Sequence, residues 1–261
     1  MKKTRITACL CAFLSVFLLC ATLFTGLTVP AFAAQTESET SQTSYAWDGS
    51  VAGAFAGGDG SAENPYQIAN GAQLKRMEVL INGADSATYR NKAYVLTDDI
   101  YLNETASTGN QWTPIGDFAG TFDGAGHAIY GMYITATVTQ SGSYGMFRRC
   151  ENATLKDFAL LEFSMEITLS GTPSGTCVYA GAICGGNNGT GKESYGNTFT
   201  GIYVEGTIAA NKNEGSLASQ YRVGSLLGYH NGGSVIDGCA FVGTVTGSAR
   251  KYAAYSGFGG G

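Results

Sequence analysis

Leu155-Lys156-Asp157-Phe158-Ala159-Leu160, Phe199-Thr200-Gly201-Ile202-Tyr203-Val204 and Ile236-Asp237-Gly238-Cys239-Ala240-Phe241 repeat one pattern three times. Ile129-Tyr130-Gly131-Met132-Tyr133-Ile134 repeats it a fourth time. Each phrase is apolar at positions one, four and six, with a polar or Gly pair at two and three, Tyr130 excepted. The four-to-six step is the period of a strand. The one-to-four step crosses a corner, where a two-residue bend returns the next side chain to the inside. A helix shares the one-to-four step, but it would add apolar residues at five or eight and suffer from the Gly and β-branched content. Each phrase therefore reads as one coil of a β-solenoid.

Upstream of these phrases a second one recurs. Gly145-Met146-Phe147, Gly181-Ala182-Ile183-Cys184 and Gly224-Ser225-Leu226-Leu227 start 36 and then 43 residues apart. Ser256-Gly257-Phe258-Gly259 begins another. Repeats of this period build by stacking, and their unequal spacers, such as Gly189–Gly196, map to loops. Linking both phrases gives four expected inward columns. These are Phe122/Phe147/Ile183/Leu226, Ile129/Leu155/Phe199/Ile236, Met132/Phe158/Ile202/Cys239 and Ile134/Leu160/Val204/Phe241. Each rung would pair its backbone with the rungs on either side.

Ahead of the coil lie a first strand, Pro65–Ile68, and one convincing helix. Asn70 is a good N-cap, Gln73 sits where a capping-box partner belongs, and Gly83 is a plausible stop. Leu74, Met77, Leu80 and Ile81 fall at helical spacing and suit a lid over the first rung, because an open sheet end recruits other strands. Tyr94–Leu96 and Ile100–Leu102 read as strands around a turn at Thr97-Asp98-Asp99. The C-terminal side carries no comparable lid, so the chain is expected to be a fragment of a longer protein.

Residues 1–33 form an export signal. Lys2, Lys3 and Arg5 precede an uncharged run, Ile6–Val29, and Ala31-Phe32-Ala33 fits a small-x-small cleavage site before Ala34. The run is long enough to span a bilayer, but the cleavage site follows directly and no basic stop-transfer cluster does. Leu19 is too bulky for Phe17-Leu18-Leu19-Cys20 to serve as a lipoprotein box. Residues 34–57 read as a flexible tether and lead-in, with no apolar residue from Gln35 to Ser44. Residues 58–261 are the repeat domain.

Losing the signal removes three of the 15 basic residues and leaves 12 against 20 acidic, a net charge near −8. That disfavours nucleic acid and anionic membrane as partners, and no membrane insertion is expected after cleavage. The 38 glycines are about twice the usual ~7% share, as an all-β chain rich in turns requires.

Trp112-Thr113-Pro114-Ile115-Gly116 and Phe118-Ala119-Gly120-Thr121-Phe122-Asp123-Gly124-Ala125-Gly126-His127-Ala128-Ile129 resemble the opening coils of bacterial surface proteins carrying GLUG repeats. Gly224–Ile236 through Gly243–Thr246 is similar to one GLUG unit, and Gly181–Ile208 to another with a long insertion. The resemblance implies a right-handed parallel β-helix on an exported bacterial protein, secreted or at the cell surface, often an adhesin-like stalk. It transfers no catalytic residue, and no cofactor is expected.

Asp98-Asp99 could serve as an acid–base pair of a polysaccharide hydrolase. The turn between strands already accounts for both residues, and no His, Arg or Lys partner aligns on neighbouring rungs. Asp123, Asp157 and Asp237 could line a calcium face, but Asp123 belongs to a turn and the other two hold unequal corner places. His127 and His230 read as solvated turn residues. Of the exported cysteines, Cys184 and Cys239 hold column positions, Cys150 a turn and Cys177 a lead-in. Buried thiols are preferred to two disulfides, and the spacing suits no zinc site. Trp112 reads as packing. Tyr195, Tyr221 and Tyr252 are the expected exposed ligand surface, with a glycan or a host or bacterial surface protein as partner. The function that follows is a non-enzymatic adhesin, stalk or spacer. The alternative is the N-terminal part of a carbohydrate-active β-helix enzyme, or of a large surface peptidase whose catalytic part lies elsewhere.

Overall fold

Pro65 leads the chain into β1 (Tyr66–Ile68) and then α1 (Gly71–Asn82) in a computed structural model. It describes residues 46–104, 109–186, 196–213, 215–218, 220–230 and 233–247. The signal segment, the tether before residue 46, Tyr195, Tyr252 and the final Gly-rich phrase lie outside these residues.

The Asn70 side chain caps α1 by accepting from the Gln73 amide at 3.0 Å. Gln73 returns its side-chain oxygen to the Ala69 amide at 2.7 Å, one residue upstream of the usual capping-box target. Leu74, Met77 and Ile81 are buried as the periodicity predicts. Leu80 is half-buried instead, and Glu78 takes the remaining inner place. Burying that carboxylate is tolerable because Lys75 pairs with it at 2.6 Å and Asn82 donates to it. A second, single-turn helix, α2 (Ser86–Tyr89), has no buried residue and no apolar periodicity to announce it.

Beyond α2 the described chain is strands and turns. The ten-stranded sheet takes β1, β2 (Ala93–Leu96), β3 (Ile100–Tyr101), β5 (Thr121–Asp123), β6 (Ala128–Tyr130), β7 (Tyr133–Val138), β10 (Thr154–Leu169), β13 (Thr198–Lys212), β16 (Val235–Asp237) and β17 (Ala240–Gly247). The three-stranded sheet orders β8 (Gly142–Tyr144), β11 (Cys177–Ala180) and β14 (Gln220–Val223). The four-stranded sheet orders β4 (Ile115–Phe118), β9 (Phe147–Cys150), β12 (Cys184–Gly186) and β15 (Leu227–Tyr229). Every pairing between these strands is parallel. From β8 onward the chain visits the three-, four- and ten-stranded sheets in that order, three times over. α1 packs against β4, the outermost strand of its sheet, and so covers an edge that would otherwise face water.

Register turns these passes into columns. Tyr94, Phe122, Leu155, Phe199 and Ile236 stand in one. Ile100, Ile129, Leu160, Val204 and Phe241 stand in the next. Ile134, Met165, Ile208 and Val245 make a third, and Ile115, Phe147, Cys184 and Leu227 a fourth. The expected partners therefore hold for the last three passes of the ten-stranded sheet and fail in the first. Phe122, not Ile129, precedes Leu155; Ile129 precedes Leu160; Ile134 precedes Met165. Met132 does not meet Phe158, because its carbonyl accepts from Ser164 one turn further on. Phe147 pairs with Cys184 and Leu227 rather than Ile183 and Leu226.

The first pass also carries a longer corner. Gly124–His127 occupies four positions where the next pass has only Asp157 and Phe158, as the flanking pairs Asp123–Lys156 and Ala128–Ala159 fix. Phe158 fills the space beside Gly124, where a Cβ would lie 2.2 Å from the Phe158 Cβ. Glycine is thus demanded there by its neighbour. The same corner needs left-handed backbone in three successive passes, at Asp157 (φ 57°), Gly201 (φ 63°) and Gly238 (φ 59°).

Candidate binding surface

Tyr221 was expected at the surface, and the structure buries it. It is 8% exposed and its hydroxyl donates to the Ile167 carbonyl at 2.9 Å. Strand alternation explains the correction: in β14 Tyr221 and Val223 point inward, so Gln220 and Arg222 point outward. Tyr195 and Tyr252, the other two expected ligand-surface residues, lie outside the described residues.

Asp98 and Asp99 act as turn devices. Asp98 accepts from the Asp99 amide at 2.8 Å, and Asp99 accepts from the Ala128 amide at 2.9 Å. His127 Nδ1 lies 3.3 Å from the same Asp99 oxygen, so this histidine ties two passes together. Burial lowers the pKa of His230. Asp123 and Asp237 share one ladder row, with Lys156 and Thr200 between them, a closer relation than the sequence suggests. Lys156 bridges Asp123 at 2.6 Å and Asp157 at 3.5 Å, and the Asp123 hydrogen bond raises its pKa. Among the described residues no group of three or more His, Cys, Asp or Glu is placed to hold a metal ion.

Cys150, expected in a turn, ends β9 fully buried, and burial pushes its thiol well up. Cys184 is buried in its column, whereas Cys177 and Cys239 are half-exposed; all four are free thiols. Trp112 is buried and donates its ring N–H to the Met146 carbonyl at 3.2 Å, a packing role.

The structure aligns other aromatic residues, exposed Tyr101 and part-buried Tyr130, Tyr179 and Tyr229. Tyr101 and Tyr130 are neighbours in the ladder and stack at 4.6 Å with nearly parallel rings. Tyr179 and Tyr229 stack at 4.8 Å, and the Arg222 guanidinium lies 4.3 Å over the Tyr229 ring. Burial, and after it the neighbouring Cys177 thiol, pushes the Tyr179 hydroxyl up to about 12, so it keeps its proton and donates to Gln220 Oε1 at 2.8 Å. A signal existed: Ser143, Tyr179 and Arg222 each stand two residues before the recurring Gly145, Gly181 and Gly224.

No protein-family model matches the chain, and no solved structure matches it. A Gly-rich membrane protein of Evansella cellulosilytica is 33% identical over 144 residues, covering 52% of this chain and 15% of that protein. Halomucin of Haloquadratum walsbyi is 28% identical over 181 residues, covering 63% of this chain and 2% of halomucin. The chain thus spans a small part of each relative. Both similarities are consistent with a surface-type protein. Among the described residues no helix is long and apolar enough to cross a membrane.

Proposed function

We propose that this chain is an exported, non-enzymatic surface module, a right-handed parallel β-helix of the GLUG type that serves as an adhesin-like stalk or spacer. The observation that carries the reading is the threefold return to the same parallel sheets, with apolar columns inside and polar rows outside. That arrangement supplies length and outer surface, which are what a stalk needs. Four of the candidate acids support the same reading: Asp98 and Asp99 are engaged in a turn, and Asp123 and Asp157 with Lys156. The membrane and halomucin relatives favour the cell surface, secreted or attached, as the location.

Expression of the tagged full chain in a bacterial host, followed by protease shaving of intact cells, tests the location. Surface exposure of the tag supports the module reading, and retention in the cytoplasm overturns it. Incubating the purified chain with acidic polysaccharides and casein tests the second half; turnover of either would falsify the non-enzymatic assignment. A second reading has one observation in its favour. The relatives are far longer than the region matched, so the chain can equally be the non-catalytic start of a larger carbohydrate-active enzyme or peptidase.

A further inference from the structure

Most described cations are neutralised by a carboxylate. Lys75 pairs with Glu78, Arg90 with Glu151, Arg148 and Arg149 with Asp117, and Lys156 with Asp123. Arg222 is different. Its guanidinium lies flat against aromatic rings, 4.3 Å from the centre of Tyr229 and 6.0 Å from that of Tyr179. Its ladder neighbour is Tyr179, followed by Ser143, so its row holds no acid. A ring-stacked guanidinium keeps its N–H edge free, and that fork matches a carboxylate in a bidentate pair.

The surroundings are suited to the same kind of guest. Tyr179 and Tyr229 form an apolar wall, with Gly186 beside it; a Cβ at Gly186 would touch Tyr179 at 3.6 Å. Gln220 uses its amide oxygen on the Tyr179 hydroxyl, which leaves its amide N–H groups as the donors it can still offer. The free groups around Arg222 are therefore donors beside an apolar wall. The chain as a whole is acidic, which opposes indiscriminate attraction of polyanions, so capture there has to work through local geometry.

We propose that Arg222, Gln220 and the Tyr179/Tyr229 pair form a binding site for a carboxylate-bearing sugar of an acidic glycan. Arg222 holds the carboxylate, Gln220 donates to a ring hydroxyl, and the tyrosine wall covers one apolar side of the sugar. The assignment rests on the surface-module reading and adds the ligand class to it.

The test uses the full chain with immobilised oligosaccharides that end in a uronic or sialic acid, alongside the same oligosaccharides with the carboxyl reduced or methyl-esterified. Retention on the acid forms alone is the expected result. Arg222→Gln should weaken it by about tenfold or more, and Arg222→Lys should weaken it too, because charge survives but the fork does not. The circular dichroism and melting curves of both variants report whether they fold. The esterified-probe comparison needs no variant, so it decides the matter even if they do not. Equal retention of acid and ester forms, no retention of any acid form, or undiminished retention by folded Arg222→Gln overturns the site. Those outcomes leave the stalk reading intact, because that reading falls only on cytoplasmic retention or on enzymatic turnover.

Discussion

The middle of the column Tyr94/Phe122/Leu155/Phe199/Ile236 and its last described member hold the same place in the repeated phrase but differ in burial. Phe199 is 2% exposed, whereas Ile236, in register with it, is 42% exposed. Val245 on the same last pass is exposed as well, while Ile208 beside it is buried. Sequence pattern is identical across the two passes, so burial here is conferred by stacking and not by the phrase itself. At the other side α1 does for β4 what a further strand would do, with Leu74, Met77 and Ile81 joining the core.

The comparison is easiest to break by truncating both residues. Phe199→Ala should cost about 3–5 kcal/mol, the range for a fully packed aromatic, in urea unfolding monitored by circular dichroism. Ile236→Ala should cost below about 1.5 kcal/mol, since much of its surface already faces water. Equal losses would mean that the last described pass is as tightly packed as the middle, against the exposure seen.

Polar staples should follow the same rule. Asn197 is buried, accepts from the Ala153 amide at 2.9 Å and donates to the Cys150 carbonyl at 3.1 Å, so its side chain replaces backbone partners at a corner. Asn197→Ala leaves both groups buried and unpaired and should cost about 2–4 kcal/mol. Asn152, whose side chain accepts from the Gly196 amide at an exposed position and whose backbone is left-handed (φ 55°), should lose about 1–2 kcal/mol on change to alanine. Thermal melts of the two variants check the ranking.

These contrasts also explain what could be read in advance. The strand period, the corner and the buried faces of α1 are local properties, written in the spacing of Leu155, Phe158 and Leu160 or of Leu74, Met77 and Ile81. Register between passes is not local. Ile129–Ile134 has the same apolar spacing as Leu155–Leu160, yet it pairs five residues further on, with Leu160 and Met165. Of the surface, the Tyr221 assignment failed because exposure was inferred from a single residue, whereas β14 sets it by alternation. The Tyr179–Arg222–Tyr229 cluster joins two different sheets, a relation that no one-dimensional spacing carries. Its row, two residues before each recurring glycine, was nonetheless legible.

The shared left-handed corner offers a finer contrast. Gly201 there tolerates φ 63° at no steric cost, and an added Cβ would meet Asp157 Oδ1 at 2.7 Å. Gly201→Ala should lose about 1–2 kcal/mol, while Asp157→Gly, relieving the same geometry one pass earlier, should change stability by at most about 0.5 kcal/mol. A loss on Asp157→Gly as large as that on Gly201→Ala would show that the Asp157 side chain, which lies 3.5 Å from Lys156, matters more than its backbone.

The smallest effect is expected at His230, which follows β15 on the last described pass, where burial is incomplete. Burial there favours the neutral ring and lowers its pKa. The unfolded chain therefore takes up the proton first as pH falls, so the fold loses stability below the ordinary histidine value of about 6.5 and holds it in full above. His230→Gln should flatten that part of the curve between about pH 7.5 and 5, with wild type and variant converging toward the acid side relative to neutral pH. An unchanged slope would mean that the histidine is as well hydrated in the fold as in the open chain. The last pass would then be looser around His230 than its half-buried ring implies.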